Sequence, residues 1–279
     1  MVTSTAGKGP ADGHQLPSPR TDGALLTLID NFCDTLPRRW ATVIDDGPLR
    51  LFLRDGPGWP FYARPVPGGP AVRIADVERM RERQRAAGVV EAFEWILPTA
   101  PGMLAAVMGT GLPARRCPLL VLDGEPAPVA LPPGYDVLLL GPADGDLGAT
   151  AHAVAAITAV AFGGPAPPPP TTADLRLLQE DLAAGAIARA LITGPDGPVA
   201  AGSAQRSMGV IELVGIATAR AARRRGFGAA VTSALAAAAR AAGADLVFLA
   251  AGDDSAARVY ERVGFRRVGE CGISEPPTR

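Results

Sequence analysis

Arg223-Arg224-Arg225-Gly226-Phe227-Gly228-Ala229 runs three arginines into a Gly-x-Gly at the start of an apolar-periodic stretch. Backbone N–H groups at a helix start are unpaired, point outward at the positive end of the helix dipole and bind phosphate well. Glycines at 226 and 228 let a bulky anion approach the backbone with no side chain in the way. The pattern makes a physical case for a pyrophosphate site, and taken alone it equally describes a basic loop before a helix. No GxxxxGK[ST] is present, which sets a P-loop aside, and the glycines follow a meander of antiparallel strands, which sets a Rossmann fingerprint aside. Two further side chains stand out. Glu212 is a carboxylate inside the apolar run Val210 to Thr218, where the plain reading is a strand glutamate on the solvent face. Tyr260 shares the apolar face of a short helix with Ala256 and Val263, and from spacing alone it is a packing tyrosine.

The elements that must hold these residues alternate cleanly from about Gly134. Tyr135 to Leu140 reads as a short strand, Leu147 to Phe162 as a helix, and Asp174 to Ala184 as another, with Thr171 or Thr172 as its cap. Three strands follow at Ile187 to Thr193, Val199 to Arg206 and Val210 to Thr218. A helix from Phe227 to Ala242 stops at Gly243, and Leu246 to Ala250 is a buried strand. A short helix from Asp254 to Val263 and a last strand from Phe265 to Ile273 complete the order. The fold class is α/β (α+β): a mixed, mostly antiparallel central sheet flanked by helices. Gly215 lies inside a strand, where glycine often marks a bulge.

The first half repeats the theme more faintly. Leu25 to Leu36 is helical, Leu49 to Arg54 and Phe61 to Pro65 form a strand pair, and Ile74 to Ala87 is a charged amphipathic helix whose run from Asp76 to Arg85 is a solvated face. A strand over 89–97, a helix from Met103 to Met108 and the apolar run CPLLVLD follow. Residues 86–112 can be laid over 241–265, helix end to Gly-hydrophobe, with a two-residue insertion, which suggests a duplicated fold. In that overlay Tyr260 falls on Val107, and no Arg-x-x-Gly-x-Gly precedes Ala86. The organisation is therefore a disordered tail at 1–23, a degenerate first domain at 24–125, a Pro-rich linker at 126–133 and a catalytic domain at 134–279. Glu91 and Glu94 flank Phe93 on opposite faces of their strand, and one of them could line a pocket between the halves.

Composition narrows the partners. A net charge of −1 removes any whole-chain argument for nucleic acid or an anionic membrane. Cys33, Cys117 and Cys271 show no metal spacing and read as free thiols of a reducing compartment. No apolar run is long enough to span a bilayer, and the first residues lack a secretory core, so the expected location is the cytoplasm. His14 belongs to the tail, and His152, amid Ala and Val, reads as structural.

Asp253-x-x-Ala256-x-x-x-Tyr260-x-x-x-Gly264-Phe265, together with Arg223-x-x-Gly226-x-Gly228 and the intervening strand, resembles the GNAT superfamily of acyl-CoA-dependent N-acyltransferases. Element order matches from Gly134 to Phe265, and the whole chain reads as a tandem form with a degenerate first domain. The resemblance implies acetyl-CoA as acyl donor and no metal. The main chain of Ile216, Ala217 and Thr218 would pair with the pantetheine arm, as an added strand does. The amides of Arg224, Arg225, Gly226, Phe227, Gly228 and Ala229, with Arg223 in the family's Arg/Gln position, would hold the CoA pyrophosphate. Asp253 stands where the family usually has Asn, and can still cap its helix; it and Ala256 would line the CoA site. An N–H near Gly215 or Ile216 would polarise the thioester carbonyl. Tyr260 would protonate the departing thiolate, and Glu212 would take a proton from the amine. The implied reaction is acetyl transfer to a primary amine of a small molecule by direct attack in a ternary complex, by a monomer or homodimer. The alternatives are a protein or peptide N-acetyltransferase, or a non-catalytic acyl-CoA-binding regulator.

Overall fold

A computed structural model describes residues 21–56, 58 and 60–276. Among them the chain forms α1 (Asp22–Thr35), β1 (Ala41–Asp46), β2 (Leu49–Arg54), β3 (Arg64–Pro65), α2 (Ile74–Ala86), β4 (Phe93–Ile96), α3 (Met103–Gly109) and β5 (Arg115–Leu122) in the first half. The second half forms β6 (Asp136–Leu139), α4 (Leu147–Ala161), α5 (Thr172–Ala183), β7 (Ile187–Gly194), β8 (Gly197–Ser207), β9 (Val210–Thr218), α6 (Phe227–Ala241), β10 (Leu246–Ala250), α7 (Asp254–Glu261) and β11 (Phe265–Ser274). The expected mixed, mostly antiparallel sheet with flanking helices is present.

Three local expectations are corrected. The tail expected over 1–23 ends sooner: the Thr21 hydroxyl accepts from the Ala24 N–H and starts α1 at Asp22, while the rest of the tail, His14 included, lies outside the described residues. The strand expected over 89–97 shortens to β4, and the strand β1, absent from the sequence reading, pairs along its whole length with β2. The charged face of α2 is not wholly solvated. Asp76 is 2% exposed and accepts from the Arg73 N–H and from Arg79.

The largest departure is topological. One sheet runs β4-β11-β5-β10-β9-β8-β7-β6, and β1-β2-β3 joins its β4 end through a parallel bridge between Ala63 and Phe93. The last strand of each half is therefore exchanged. β11 lies between β4 and β5 of the first half, and β5 lies between β10 and β11 of the second. The Pro-rich linker separates the halves in sequence, yet their strands share one sheet. The order β1-β2-β3-α2-β4-α3-β5 repeats as β7-β8-β9-α6-β10-α7-β11. In both, the third strand runs parallel to the fourth.

Side-chain alternation sorts the core into two faces. Ile211, Leu213, Val247 and Leu249 point to α6 and α7 with Phe227, Val231 and Leu235. Val210, Phe248, Leu119 and Cys271 point the other way, to Leu25, Ile29 and Phe32 of α1. α4 and α5 cover Leu191 and Ala201 on that second face. α6 is an alanine-rich helix with one apolar stripe, good for helix formation and close approach alike. Burying Phe227, Val231 and Leu235 stabilises the fold by about 1.5–3 kcal/mol each. Close approach needs Gly202 on β8, where an added Cβ would sit 2.8 Å from Val231 Cγ1 and 3.1 Å from Leu235 Cδ1.

Candidate active site

β9 and β10 run parallel with Val210 opposite Leu246, Ile211 opposite Val247 and Glu212 opposite Phe248, and there the pairing stops. The cause lies three residues further on. Gly215 adopts φ +62°, and the register with β8 slips there, so that Gly202 faces both Gly215 and Ile216. This is the bulge expected from the glycine, with a left-handed first residue. The Thr158 hydroxyl on α4 donates to the Gly215 carbonyl at 3.3 Å and pins it. From Leu213 onward β9 leaves β10, opening a cleft that Ile216, Ala217 and Thr218 edge.

That cleft holds about 410 Å³ and collects most of the residues expected from the sequence. Arg223 and Gly228 line it from the start of α6, Asp253, Ala256, Val259 and Tyr260 from α7 and the turn before it, and Phe162 from the end of α4. α6 begins at Gly226, which takes φ +86° and gives no side-chain cap. Among the described residues, no N–H from Arg224 to Ala229 donates to a backbone carbonyl; the first such bond in α6 is Ala230 to Gly226. Those amides can therefore serve an anion. Arg224 holds φ +62°, uncommon for a non-glycine residue, and so turns the chain into the helix.

The three arginines differ. The Arg223 Nε donates to the Thr218 carbonyl at 3.4 Å, which ties the loop to the edge of the cleft. Arg225 lies over the rings of Tyr135 and Phe227, 4.9 and 5.2 Å from their centroids, so its side chain braces the helix start. Asp253 does what an aspartate can in that position: it caps α7, accepting from the Ala256 N–H at 2.8 Å.

Tyr260 projects from α7 into the cleft beside Phe265. Burial, and then the Asp253 charge, push its hydroxyl up to about 12, so it stays protonated and can donate. Glu212 faces the other side, toward α1. Its side chain is half-buried. Burial, and then Glu94, push its carboxyl up to about 8 against the opposing pull of Arg64. A base with that value matches neutral-pH proton transfer.

Glu94 is the residue the sequence only half located. The two glutamates flanking Phe93 part company: Glu91 pairs with Arg81 and Arg85 on α2, while Glu94 turns to the face of α1 and reaches Arg64 at 3.5 Å. His152 sits on α4, its Nδ1 buried without a partner among the described residues, and takes no part in the cleft. All three cysteines are free, and no group of His, Cys, Asp and Glu among the described residues could hold a metal. No described helix is long and apolar enough to cross a membrane.

A family model described as FR47-like protein matches residues 191–272, from β7 to β11, and so contains the bulge, the helix start and Tyr260. Over nearly the whole molecule the chain is similar to a GCN5-related N-acetyltransferase from Kribbella flavida, with a TM-score of 0.68 and 25% identity, over 91% of this chain and 96% of that one. In fold and in this motif-bearing segment the chain is similar to the GNAT superfamily. These likenesses make it an acyltransferase, and the family it resembles uses acetyl-CoA as acyl donor. It shares its fold with a GCN5-related N-acetyltransferase-like protein from Streptococcus suis, at 11% identity and a TM-score of 0.55, over 91% of this chain and 97% of that one. It also shares it with a GCN5-related N-acetyltransferase from Sphaerobacter thermophilus, at 16% identity and a TM-score of 0.52, over 73% and 67% of the two chains. No curated protein matches the sequence.

Proposed function

We propose that the protein transfers an acetyl group from acetyl-CoA to a primary amine of a small molecule by direct attack in a ternary complex. One observation carries the reading. The parallel pair β9–β10 opens immediately after Glu212, so an unpaired strand edge and the uncapped start of α6 share one cleft, with a candidate base on the opposite face of β9 where the strands part.

Each residue then has a physical task. The open amides from Arg224 to Ala229 and the Arg223 guanidinium hold the pyrophosphate. The main chain of Ile216, Ala217 and Thr218 pairs with the pantetheine arm as an added strand. An N–H at the bulge stabilises the oxyanion that forms as the amine attacks. Glu212 removes the ammonium proton, Tyr260 donates its hydroxyl proton to the departing sulfur, and the second proton that the nitrogen loses from the tetrahedral adduct restores the Tyr260 hydroxyl. The products are an N-acetyl amine and CoA thiol.

In this reading the first half is a degenerate GNAT-like unit. It repeats the strand and helix order, places Val107 where the second half has Tyr260, and fills the start of α2 with the Asp76 carboxylate. It contributes β5 to the active sheet and the walls of the acceptor recess. The test is thiol release from acetyl-CoA in a DTNB assay against a panel of small amines and peptides. Turnover with small amines supports the reading. Turnover with peptides alone makes the acceptor a polypeptide, and CoA binding with no turnover makes the protein a sensor.

A further inference from the structure

The exchange of β5 and β11 brings two cysteines face to face. Cys117 on β5, from the first half, and Cys271 on β11, from the second, are direct partners in the antiparallel register. Direct partners place their side chains on one face of the sheet with Cα atoms about 4.5–5.5 Å apart. That separation lies inside the range of about 4.4–6.8 Å that a disulfide spans. Both side chains point into the core beneath α1, and each residue is 1% exposed. Both are free thiols, so the pair stands in its dithiol form. The third cysteine, Cys33, lies on α1 and is no partner in this register.

The two sulfurs are not equivalent. The Arg115 guanidinium donates to the Cys117 sulfur at 3.2 Å, and that sulfur lies 3.9 Å from the Gly252 carbonyl. The Arg115 side chain is itself 53% exposed and pairs with Glu275 at 3.5 Å. A long, solvated side chain at the first residue of β5 is therefore laid against Cys117. A guanidinium beside a sulfur favours the thiolate, which is the nucleophilic form. The hydrogen bond from Cys271, joined by the Arg115 charge and opposed by burial, pulls the Cys117 thiol down to about 7. The same bond, and then burial, push the Cys271 thiol well above its ordinary value. Burial does the same to Cys33. Cys117 is thus the attacking sulfur, and Cys271 stands where a resolving thiol must stand.

We propose that Cys117 and Cys271 form a peroxide-responsive site, at which a hydroperoxide oxidises the dithiol to a disulfide across the β5–β11 joint. The oxidant passes beside the Arg115 side chain. The Cys117 thiolate attacks one peroxide oxygen: the S–O bond forms, the O–O bond breaks, and the hydroxide that leaves takes up the proton Cys117 gave to solvent. Cys271 then attacks the sulfenic sulfur of Cys117. The S–S bond forms, and the displaced hydroxide leaves as water with the Cys271 proton. Two thiols lose two electrons in all, and hydrogen peroxide is reduced to two waters. The bridge ties together the strands that the halves have exchanged, and a thiol reductant reopens it.

The experiment treats the reduced full chain with one equivalent of hydrogen peroxide, blocks the remaining thiols with N-ethylmaleimide and maps the peptides without reduction. A parallel sample, denatured and unblocked, is titrated with DTNB. Thiols fall from three to one, dithiothreitol restores all three, and Cys117 is found joined to Cys271 with Cys33 unoxidised. Cys271→Ser removes the resolving thiol, so Cys117 stops at the sulfenic acid and is captured by dimedone. Cys117→Ser leaves two thiols without the guanidinium, and their loss is at least about tenfold slower than in the wild type. Thermal melts check that both variants fold, and the wild-type map stands without them. A Cys33–Cys271 bridge, sulfinic or sulfonic acid at Cys117 of the wild type in place of the bridge, or thiols that react only in the unfolded chain overturns the proposal. Equal rates in the wild type and Cys117→Ser overturn it too.

Discussion

The molecule contains the same topological junction twice, and only one copy leaves the start of its crossing helix uncapped. In each half a meander delivers its third strand parallel to the fourth, with a helix crossing between them. At the second-half junction β9 is nine residues long, bulges at Gly215 and leaves β10 after Glu212. At the first-half junction β3 is two residues long and touches β4 through the single bridge at Ala63. The crossing helices differ more sharply. α6 starts at an uncapped glycine, with no acidic residue in its first turn. α2 starts with Asp76, whose carboxylate accepts from the Arg73 N–H at 2.9 Å and from Arg79 at 2.8 Å. One helix start is open to an external anion; the other already holds its own. The topology recurs, but only the second junction combines an open cleft with a helix start that is free to take an anion.

The most damaging break is to give α6 what α2 has. Gly228 lines the cleft at an ordinary helical angle, and a Cβ there would face Thr218 Oγ1 at 3.7 Å. Gly228→Glu therefore folds but drives a carboxylate into the cradle. We expect acetyl-CoA affinity to fall at least about 100-fold by calorimetry, since the side chain both fills the site and repels the pyrophosphate. Retained affinity would place the cosubstrate elsewhere.

Glu212→Gln is next in size. Removing a general base lowers kcat/KM by about 10²–10⁴. The pH profile identifies the mechanism. Glu212 must be ionised to act, so wild-type kcat/KM rises with pH through about 8. In the variant that rise vanishes and only the titration of the free amine, near pH 10, remains. The same shift has a stability consequence of opposite sense. Folded Glu212 holds its proton up to about pH 8, whereas the unfolded side chain releases it near pH 4.3, so stability is full at low pH and lost as pH rises through 8. Glu212→Gln should therefore melt a few degrees above wild type at pH 9 and level with it at pH 4. A variant less stable at pH 9 would mean that the carboxylate has a favourable partner.

Much of this junction was legible because its signals are local. Gly215 inside an apolar strand announces a bulge, Gly226 and Gly228 announce a helix start, and Tyr260 falls a fixed distance after Asp253. The exchange of β5 and β11 was not. CPLLVLD reads as a buried strand whichever neighbours it takes, and nothing local tells a strand of the first half to sit between β10 and β11. β1 was missed because it carries Thr42, Asp45 and Asp46, charged and polar residues that suggest a loop. Their partners are distant or cross-strand: Arg50 takes Asp45, while Arg79 and Arg83 take Asp46. Alternation correctly separated Glu91 from Glu94. Which of them reached Arg64 depended on the sheet pairing of β4, a tertiary fact.

Tyr260 tests the other position at which the halves differ. Its overlay partner Val107 is fully buried in the first-half core, so that half has packing where the second has a donor. Tyr260→Phe keeps the ring against Phe265 and removes only the hydroxyl. We expect kcat to fall about 10- to 100-fold, less than for the base because water can supply a proton, with CoA affinity held within about threefold. Full activity would make Tyr260 a packing residue like Val107.

The smallest effect comes from opening the first-half helix. Asp76→Ala removes the carboxylate that serves the Arg73 N–H and Arg79. Burial works against that carboxylate, but the bonds from Arg79 and Arg73 outweigh it and hold its pKa below the usual range. A depressed value stabilises the fold above the unfolded pKa and ceases to do so as pH falls through the folded one. The variant should lose about 1–3 kcal/mol at pH 7, with the difference from wild type shrinking below about pH 4. Acetyl-CoA should still bind once per chain with unchanged affinity. The α2 start would then be as bare as that of α6, but β3 has two residues where β9 offers an unpaired edge of six, so there is no strand for a pantetheine arm to join. A stoichiometry of two would show that one capping carboxylate alone separates the two junctions.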